Sequence, residues 1–157
     1  MKSYSLRYGF SQHFGVSADT AYRWCTDYQP DDWARMGEKG IREIEWLNED
    51  TVILTDTVEG AKGKTTKQRL VRLHPERLAW TNTHLAGPNR HSQFWYQVTP
   101  VGQGSSRLDF TGLQINYGKA PSAARIAAMA RQLAVEDSKA WVLLAKEMKK
   151  DLRKEWR

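Results

Sequence analysis

A few polar side chains interrupt the apolar faces of the predicted strands, and these are the residues best placed to do chemistry. They are Asp56, Asn82, His84, Gln114 and the phenols of Tyr8 and Tyr96. An unpaired carboxylate on an apolar strand face is costly, so Asp56 either pairs with a basic side chain or marks a functional site. Its possible partners are Arg69, Arg72 and His84. With His84, Asp56 would form a general base and the carboxylate that orients it.

Some of these polar residues also have a purely structural interpretation. His84 and Gln114 lie near the ends of their predicted strands, where they would form the rim of a site rather than its lining. Asp137 interrupts the apolar stripe of the last predicted helix. Either it reaches into a site, or its place in the stripe reflects helix curvature or an end of the sheet. The sequence leaves these alternatives open.

Other patterns that carry chemistry are missing from the sequence. The histidines are scattered without the spacing of metal ligands; they are His13, His74, His84 and His91. Cys25, in a predicted helix, is most simply a small buried residue, and no serine or cysteine partner for His84 is evident. The glycine pairs fall in predicted hairpin turns rather than in a phosphate-binding loop. We therefore expect neither a metal nor a cofactor.

Composition narrows the class of protein without identifying a partner. The 157 residues predict one domain, spanning residues 1–157, that is large enough to bury a core. The single cysteine excludes an intrachain disulfide and fits a reducing compartment. The N-terminus has no continuous apolar run, and no window approaches 18 apolar residues, so neither a signal peptide nor a membrane span is predicted. We expect a cytoplasmic protein.

Two basic stretches contribute to the net charge of +6. One spans residues 62–77, where Glu76 is the only acid, and the other spans residues 146–157, where acids are interleaved at helical spacing. Each is either a solvated surface or a site for an anionic membrane or an acidic partner, and residues 62–77 form the better patch. Nucleic-acid binding is not expected, because the aromatic residues lie mainly on predicted buried faces rather than among these charges.

The elements that must position these side chains change period along the chain. A first strand with alternating apolar residues, from Leu6 to Phe14, precedes two short helices. The first helix covers residues 18–26 after the N-cap Ser17, and the second begins around residues 30–33 and ends at Gly37. Turn signals then separate six strands at residues 41–47, 51–59, 64–73, 78–85, 92–98 and 107–116.

The last element is a long amphipathic helix over residues 120–157, with Pro121 in its first turn. Its stripe recurs every three or four residues: Ile126, Met129, Leu133, Asp137, Trp141, Leu144, Met148 and Leu152. At 1.5 Å per residue, 35 residues would span roughly 50 Å, so a broad apolar surface must lie beneath the helix. We predict an α+β fold in which a curved seven-stranded antiparallel sheet wraps around this helix.

The order of elements resembles the helix-grip fold of the START, polyketide-cyclase and birch-pollen-allergen-like superfamily (SRPBCC). Residues 10–19, continuing to Trp24 and to Asp27 and Tyr28, are similar to the first strand and short helices of that family. Residues 70–81 resemble its mid-sheet hairpin. The resemblance implies a hydrophobic cavity between sheet and helix that takes lipids, polyketides or other apolar molecules. It implies no single reaction, because a fold hosts many functions.

Strand alternation then selects the residues that would line such a cavity. One strand stays ambiguous, because residues 64–73 face inward either with Arg69, Val71 and Leu73 or with Gln68, Leu70 and Arg72. The predicted ligand-binding residues are Tyr8, Trp46, Leu54, Asp56, Arg69, Trp80, Asn82, His84, Phe94, Tyr96, Phe110, Gln114, Asp137 and Trp141. Asp56 and His84 are the candidate catalytic residues among them.

Three functions follow, in decreasing order of support. The first is binding or carriage of a hydrophobic small molecule, such as a lipid, a polyketide or an aromatic metabolite, because the lining is apolar with few placed polar groups. The second is a cyclase, aromatase or dehydratase acting on a polyketide-like substrate, for which Asp56, His84, Tyr96 and Arg69 are the candidate residues, without assigned roles. The third is an interaction or membrane-docking module that uses the basic surface.

Overall fold

The structure is a computed structural model that describes residues 1–155, with side chains up to Lys154. Within these residues, seven strands and three α-helices follow the predicted order. The strands are β1 (Ser3–Phe14), β2 (Lys39–Asn48), β3 (Thr51–Gly60), β4 (Gly63–His74), β5 (Ala79–Ala86), β6 (Gln93–Pro100) and β7 (Ser106–Tyr117). The helices are α1 (Ala18–Thr26), α2 (Asp32–Arg35) and α3 (Ala123–Glu155), and a 3-10 turn covers Pro75–Arg77.

The strands form a single open sheet in the order β1-β7-β6-β5-β4-β3-β2. Every neighbouring pair is antiparallel, and β1 crosses to pair with β7 along its full length. The six strands from β2 to β7 therefore form a meander, while α1 and α2 occupy the connection from β1 to β2. This arrangement confirms the predicted helix-grip α+β fold.

Local sequence signals explain the short helices after β1. The Ser17 side chain accepts a hydrogen bond from the Thr20 backbone N–H and caps α1, as its position predicts. Ala18, Ala21 and Tyr22 are the buried face of α1. The short α2 sets the Trp33 ring directly against Gly40 of β2, where an added Cβ would lie 3.0 Å from Trp33 side-chain atoms. Gly40 thus permits the close approach of α2 to the sheet.

The strand faces alternate as the sequence predicts, and their inner faces form the core. On β3, Val52, Leu54 and Asp56 are all completely buried. On β4, Val71 is completely buried, while Arg72 is exposed, so the strand faces inward with its odd-numbered residues. This settles the ambiguity over residues 64–73 in favour of Arg69, Val71 and Leu73.

The long helix begins three residues later than predicted, at Ala123. Ser122 Oγ accepts a hydrogen bond from the Arg125 backbone N–H, which is the geometry of a helix cap. Pro121 therefore precedes the helix rather than lying in its first turn. Met148 is the buried residue of α3, with 1% exposure, and the rest of the stripe is half-buried. Within residues 1–155, none of the helices is both long and apolar enough to cross a membrane.

Leu78 differs from its predicted place at the start of a strand. It has a left-handed backbone with φ of 51° and ends the 3-10 turn, so β5 begins one residue later. A branched residue with positive φ is uncommon and requires support from its surroundings. That support comes from packing, because the Leu78 side chain contacts the main core cluster.

Candidate functional site

An aromatic wall covers the inner face of the sheet at β1, β5, β6 and β7. We define it as Tyr8, Trp80, Phe94, Tyr96 and Phe110. Trp80 and Tyr96 stack with ring centroids 4.7 Å apart, and Phe110 lies 5.1 Å from Tyr96. Phe94 and Tyr8 lie 5.7 Å and 5.4 Å from Phe110. The wall is continuous because strand pairing brings these rings onto one face of adjacent strands.

Tyr8 can reach across β7 because the residue beside it is Gly112. The two residues are partners across β1 and β7, and an added Cβ on Gly112 would lie 2.8 Å from the Tyr8 ring. The absence of a side chain there lets the phenol reach toward α3. Its Oη donates a hydrogen bond of 2.5 Å to Asp137 Oδ2.

The Tyr8–Asp137 bond is a polar contact between sheet and helix in a largely apolar setting. Burial raises the pKa of Tyr8 far above its usual range, and the neighbouring Asp137 adds to the effect. Burial also raises the pKa of the Asp137 carboxyl, although the bond from Tyr8 opposes this. Asp137 therefore reaches inward from α3, as one of its two sequence interpretations predicts, and it retains a proton to higher pH than an ordinary aspartate.

The N-terminal half of α3 lies over the aromatic wall. Ala130, Leu133 and Ala134 pack against the cluster of Tyr8, Phe94 and Phe110, yet all three remain half-buried. Farther along the helix, Trp141 lies 5.8 Å from Tyr96 and 6.4 Å from Phe14. Trp141 is also half-buried, although it faces the sheet.

A buried ionic cluster adjoins the aromatic wall at β2, β3 and β4. We define it as Asp32, Arg42, Asp56 and Arg69. Asp56 accepts hydrogen bonds of 2.8 Å and 3.2 Å from Arg42 and of 3.0 Å from Arg69. Arg42 also donates a bond of 2.6 Å to Asp32 at the start of α2. Burial alone would raise the pKa of Asp56, but the bonds and charges of the two arginines outweigh it and lower that pKa.

The pairing of Asp56 with Arg69 is one of the predicted partnerships, whereas Arg42 was missed by the sequence interpretation. The signal was available, because Arg42 shares the inward face of β2 with Ile44. Strand alternation, applied to polar as well as apolar residues, would have placed it there. Because two guanidiniums hold the Asp56 carboxylate, Asp56 is not a free general base.

His84 is not paired with Asp56, which corrects the predicted base–orienter pair. The side chain is buried with 5% exposure, so it is not a rim residue. Its Nδ1 has no hydrogen-bond partner among the described residues. Burial, aided by the charges of Arg69 and Lys67, lowers the pKa of His84 to about 4. The imidazole is therefore neutral at pH 7, and it lies edge-on to Phe94 with centroids 5.1 Å apart.

The structure brings together most of the remaining predicted lining residues. Leu54 and Asn82 are buried on the inner face beside the wall. Gln114 is half-buried and donates a hydrogen bond to Asn116 near the end of β7. Trp46 is 47% exposed, so its predicted place in the lining is wrong. Trp46 lies near a bulge at the end of β2. Because β2 is an edge strand, it has a neighbouring strand, β3, on one side only.

Three residues beside the main core are only partly covered. Tyr28, Tyr96 and Cys25 all retain accessible surface. Burial nevertheless raises the pKa of each, that of Tyr96 to about 12. Cys25 packs against the main core cluster but is only partly buried, whereas the sequence predicts a buried residue.

Both basic stretches differ from their predictions, the first in the size of its exposed patch and the second in its ion pairs. In residues 62–77, Lys67 and Arg69 turn inward, so this patch is smaller than expected. In the C-terminal stretch, Asp151 pairs with Arg35 of α2 at 2.8 Å rather than within α3. A surface groove of about 320 Å³ there is lined by Lys146, Lys149, Lys150, Arg153 and Lys154. Membrane contact stays a prediction.

Comparison with known structures gives the same fold. An aromatase/cyclase named Zhui from a Streptomyces species superposes with a TM-score of 0.71 at 12% identity, covering 98% of this chain and 97% of that one. A START superfamily protein from Mycobacterium smegmatis gives 0.65 at 14% identity, with coverage of 95% and 98%. Norcoclaurine synthase from Thalictrum flavum, in complex with dopamine and hydroxybenzaldehyde, gives 0.65 at 12% identity, with coverage of 97% and 88%.

The sequence itself also identifies a family. No curated protein matches the chain at a significant level. A family described as polyketide cyclase / dehydrase and lipid transport matches residues 8–153, which include the second half of β1, the whole meander and nearly all of α3. The chain belongs to this family, within the helix-grip superfamily that its sequence resembles.

Proposed function

We propose that this protein binds a hydrophobic small molecule between the aromatic wall and the N-terminal half of α3. The family and its structural relatives support hydrophobic ligand binding or cyclase-type chemistry as the general class. Asn82, His84 and Asp137 give an otherwise apolar space a few fixed polar groups, which is typical of ligand sites.

The observation that carries the proposal is incomplete packing between two surfaces that face each other. Leu133 and Trp141 on α3, and Tyr96 on the sheet, each retain accessible surface although they face the opposite element. Protein interiors are normally packed to crystal-like density, and Met148 of the same helix is covered to 1% exposure. When an apolar ligand covers exposed apolar surface of this kind, the free energy of the complex falls by roughly 25 cal/mol per Å² of surface covered.

The test is to fill the proposed space from the helix side. N-phenyl-1-naphthylamine is a neutral probe whose fluorescence rises in apolar surroundings, so a titration measures its affinity directly. We expect Leu133→Trp to weaken probe binding by about tenfold or more. It should lower the free energy of unfolding by less than the ~1–3 kcal/mol that is lost when a filled core is overpacked. Urea denaturation measures the free energy of unfolding of the same variant.

The matched control is Leu143→Trp, the same substitution on the same helix. Leu143 is 60% exposed, so its replacement should leave probe affinity unchanged. Absence of any saturable probe binding to the wild-type protein would show the proposal to be wrong. Equal affinities of the two variants would place the probe elsewhere.

A cyclase or dehydratase is the second candidate, favoured by the Tyr8–Asp137 contact. A carboxyl that keeps its proton to higher pH, bonded to a phenol at the edge of an apolar space, is suited to general acid catalysis. Asp137→Asn should then lower the rate of cyclisation of a poly-β-ketone substrate by roughly 100-fold. Glu43→Gln, an exposed carboxylate change on β2, is the control. Equal rates for wild type and Asp137→Asn would eliminate this role.

A further inference from the structure

The basic side chains on the inner face of β2 to β4 exceed the acidic ones. Arg42 and Arg69 share the carboxylate of Asp56, and Arg42 also binds Asp32. Lys67 is a third cation on this face. Among the side chains that the structure describes, no carboxylate oxygen lies within 4.0 Å of its ammonium. The inward-facing side chains of these strands, together with Asp32 of α2, therefore comprise three cations and two carboxylates, and Lys67 is the cation of this set without a salt bridge.

The position of Lys67 follows from strand alternation. Lys67 is two residues from Arg69 on β4 and shares its inward face, and it is the partner of Asp56 across β3 and β4. Its Nζ lies 5.4 Å from the centroid of the Trp33 ring. An aromatic face stabilises a cation by only about 0.5–2 kcal/mol and does not replace a counter-ion. Burial and the charge of Arg69 accordingly lower the pKa of Lys67 to about 8.

Next to Lys67, two buried polar atoms also lack partners. Arg69 uses its NH2 group for Asp56, while its Nε has no hydrogen-bond partner within the described part of the chain. His84, its partner across β4 and β5, has an unpartnered Nδ1. Buried polar atoms are nearly always paired, so each such atom requires an explanation. His84 also contacts Phe94, so the polar group formed by Lys67, Arg69 and His84 is continuous with the aromatic wall.

We propose that the ligand is an organic acid whose anionic group is bound by the Lys67 ammonium and the Arg69 Nε–H, with its apolar part on the aromatic wall. This inference rests on the proposed function and specifies its ligand class. A carboxylate would balance the excess charge and satisfy the free donor of Arg69 at once. Charge-assisted bonds of this kind are about twice as strong as neutral ones.

A pH titration between pH 7 and pH 10 reports on Lys67, because the pKa of its ammonium lies in that range. The facing groups are Asp32 on α2, Arg42 on β2, Asp56 on β3, Arg69 on β4, His84 on β5, Tyr96 on β6 and Asp137 on α3. The pKa of His84 is about 4 and that of Tyr96 about 12. Guanidiniums stay charged throughout, and Lys67, with a pKa of about 8, changes its charge between pH 7 and pH 10.

The experiment compares two probes that differ in charge. 2-Naphthoate and 2-naphthalenemethanol each compete with N-phenyl-1-naphthylamine, and their affinities are measured from pH 7 to pH 10. At pH 7 we expect the acid to bind at least about tenfold more tightly than the alcohol, the scale of a charged hydrogen bond. The preference should fall as the pH rises through about 8 and Lys67 loses its proton.

Lys67→Met should remove the preference and its pH dependence while leaving the alcohol's affinity unchanged. Lys64→Met is the matched control, since Lys64 is on the same strand but its side chain is 70% exposed and pairs with Glu59. If Lys67→Met fails to fold, the pH titration of the wild type and the more conservative Lys67→Gln still provide the test.

The outcomes separate this inference from the proposed function. Equal or weaker binding of 2-naphthoate at pH 7 would overturn the anion site, while binding of the neutral probe would leave the proposed function intact. An equal loss of preference in Lys64→Met would assign the effect to general surface charge and also overturn the inference. If no probe binds at all, both proposals fail.

Discussion

The two halves of α3 carry the same apolar stripe but lie on different surfaces. In the C-terminal half, Met148 is fully buried and Leu152 packs beside it on a core of valine, leucine and tryptophan side chains. In the N-terminal half, Leu133 lies on aromatic rings and stays half-buried. The C-terminal half seals the fold, whereas the stripe of the N-terminal half is only partly covered.

The two halves of α3 also differ in how they are attached to the rest of the fold. The C-terminal half is held by close packing, and Asp151 also accepts hydrogen bonds from Arg35 and from the Trp24 indole, at 2.8 Å and 3.1 Å. Among the described residues, the N-terminal half has one side-chain hydrogen bond to the sheet, from Tyr8 to Asp137. A periodic stripe therefore shows which side of a helix faces inward, but not how tightly that side is packed.

The largest expected effect is at the sealed end. Met148→Ala removes a fully buried side chain whose neighbours are fixed by strands, so it should lower the free energy of unfolding by about 2–5 kcal/mol. Urea denaturation at pH 7 measures this loss. Val142→Ala, at a position that is 42% exposed on the same helix, is the control and should cost less than about 0.5 kcal/mol. Similar losses in the two variants would contradict the distinction between sealed and solvent-facing positions.

A smaller effect is expected at Trp141, where the two halves meet. A fully packed tryptophan costs about 3–5 kcal/mol when truncated to alanine. Trp141 is half-buried, so Trp141→Ala should cost roughly 1–2 kcal/mol in the free energy of unfolding. It should also change the affinity for N-phenyl-1-naphthylamine at least about threefold, because the ring borders the proposed space. A loss above 3 kcal/mol with unchanged probe affinity would place Trp141 in the sealed core.

The smallest effect is expected at Asp137, in the N-terminal half of α3, where the pH dependence of the protein's stability should change. The folded pKa of Asp137 is raised, so the folded state holds this proton more tightly than the unfolded chain does. Its contribution is therefore fully present below the unfolded pKa of about 3.9 and is lost as the pH rises through the folded value. Asp137→Asn should flatten this decline.

Thermal denaturation at a series of pH values from 3 to 7 measures the difference between the wild type and Asp137→Asn. Other carboxyls titrate in the same window, but they are common to both proteins and cancel in the difference. Asp151→Asn is the matched change in the sealed half of α3. If Asp137→Asn and wild type follow parallel curves, the carboxyl is not perturbed by its position.

Much of the fold could be predicted from local patterns, because strand and helix periods are local properties. The first helix and its Ser17 cap were predicted to the residue, and the strand boundaries to within two or three residues. Errors occurred where the three-dimensional surroundings decide. Leu78 turned out to end a turn, and Trp46 lost its cover because β2 is an edge strand. The predicted single domain and cytoplasmic location stay predictions.

By itself, the sequence determined the family, the order of the elements and the inward faces of the strands other than β4. The order and the faces depend on periodicity and turn chemistry, which neighbouring residues encode. Only the tertiary structure decided which charges meet: Asp56 binds Arg42 and Arg69 rather than His84, and Tyr8 reaches Asp137 across 129 positions of chain. Such pairs depend on strand register and on the height of a helix above the sheet, which are set by the packing of the whole chain.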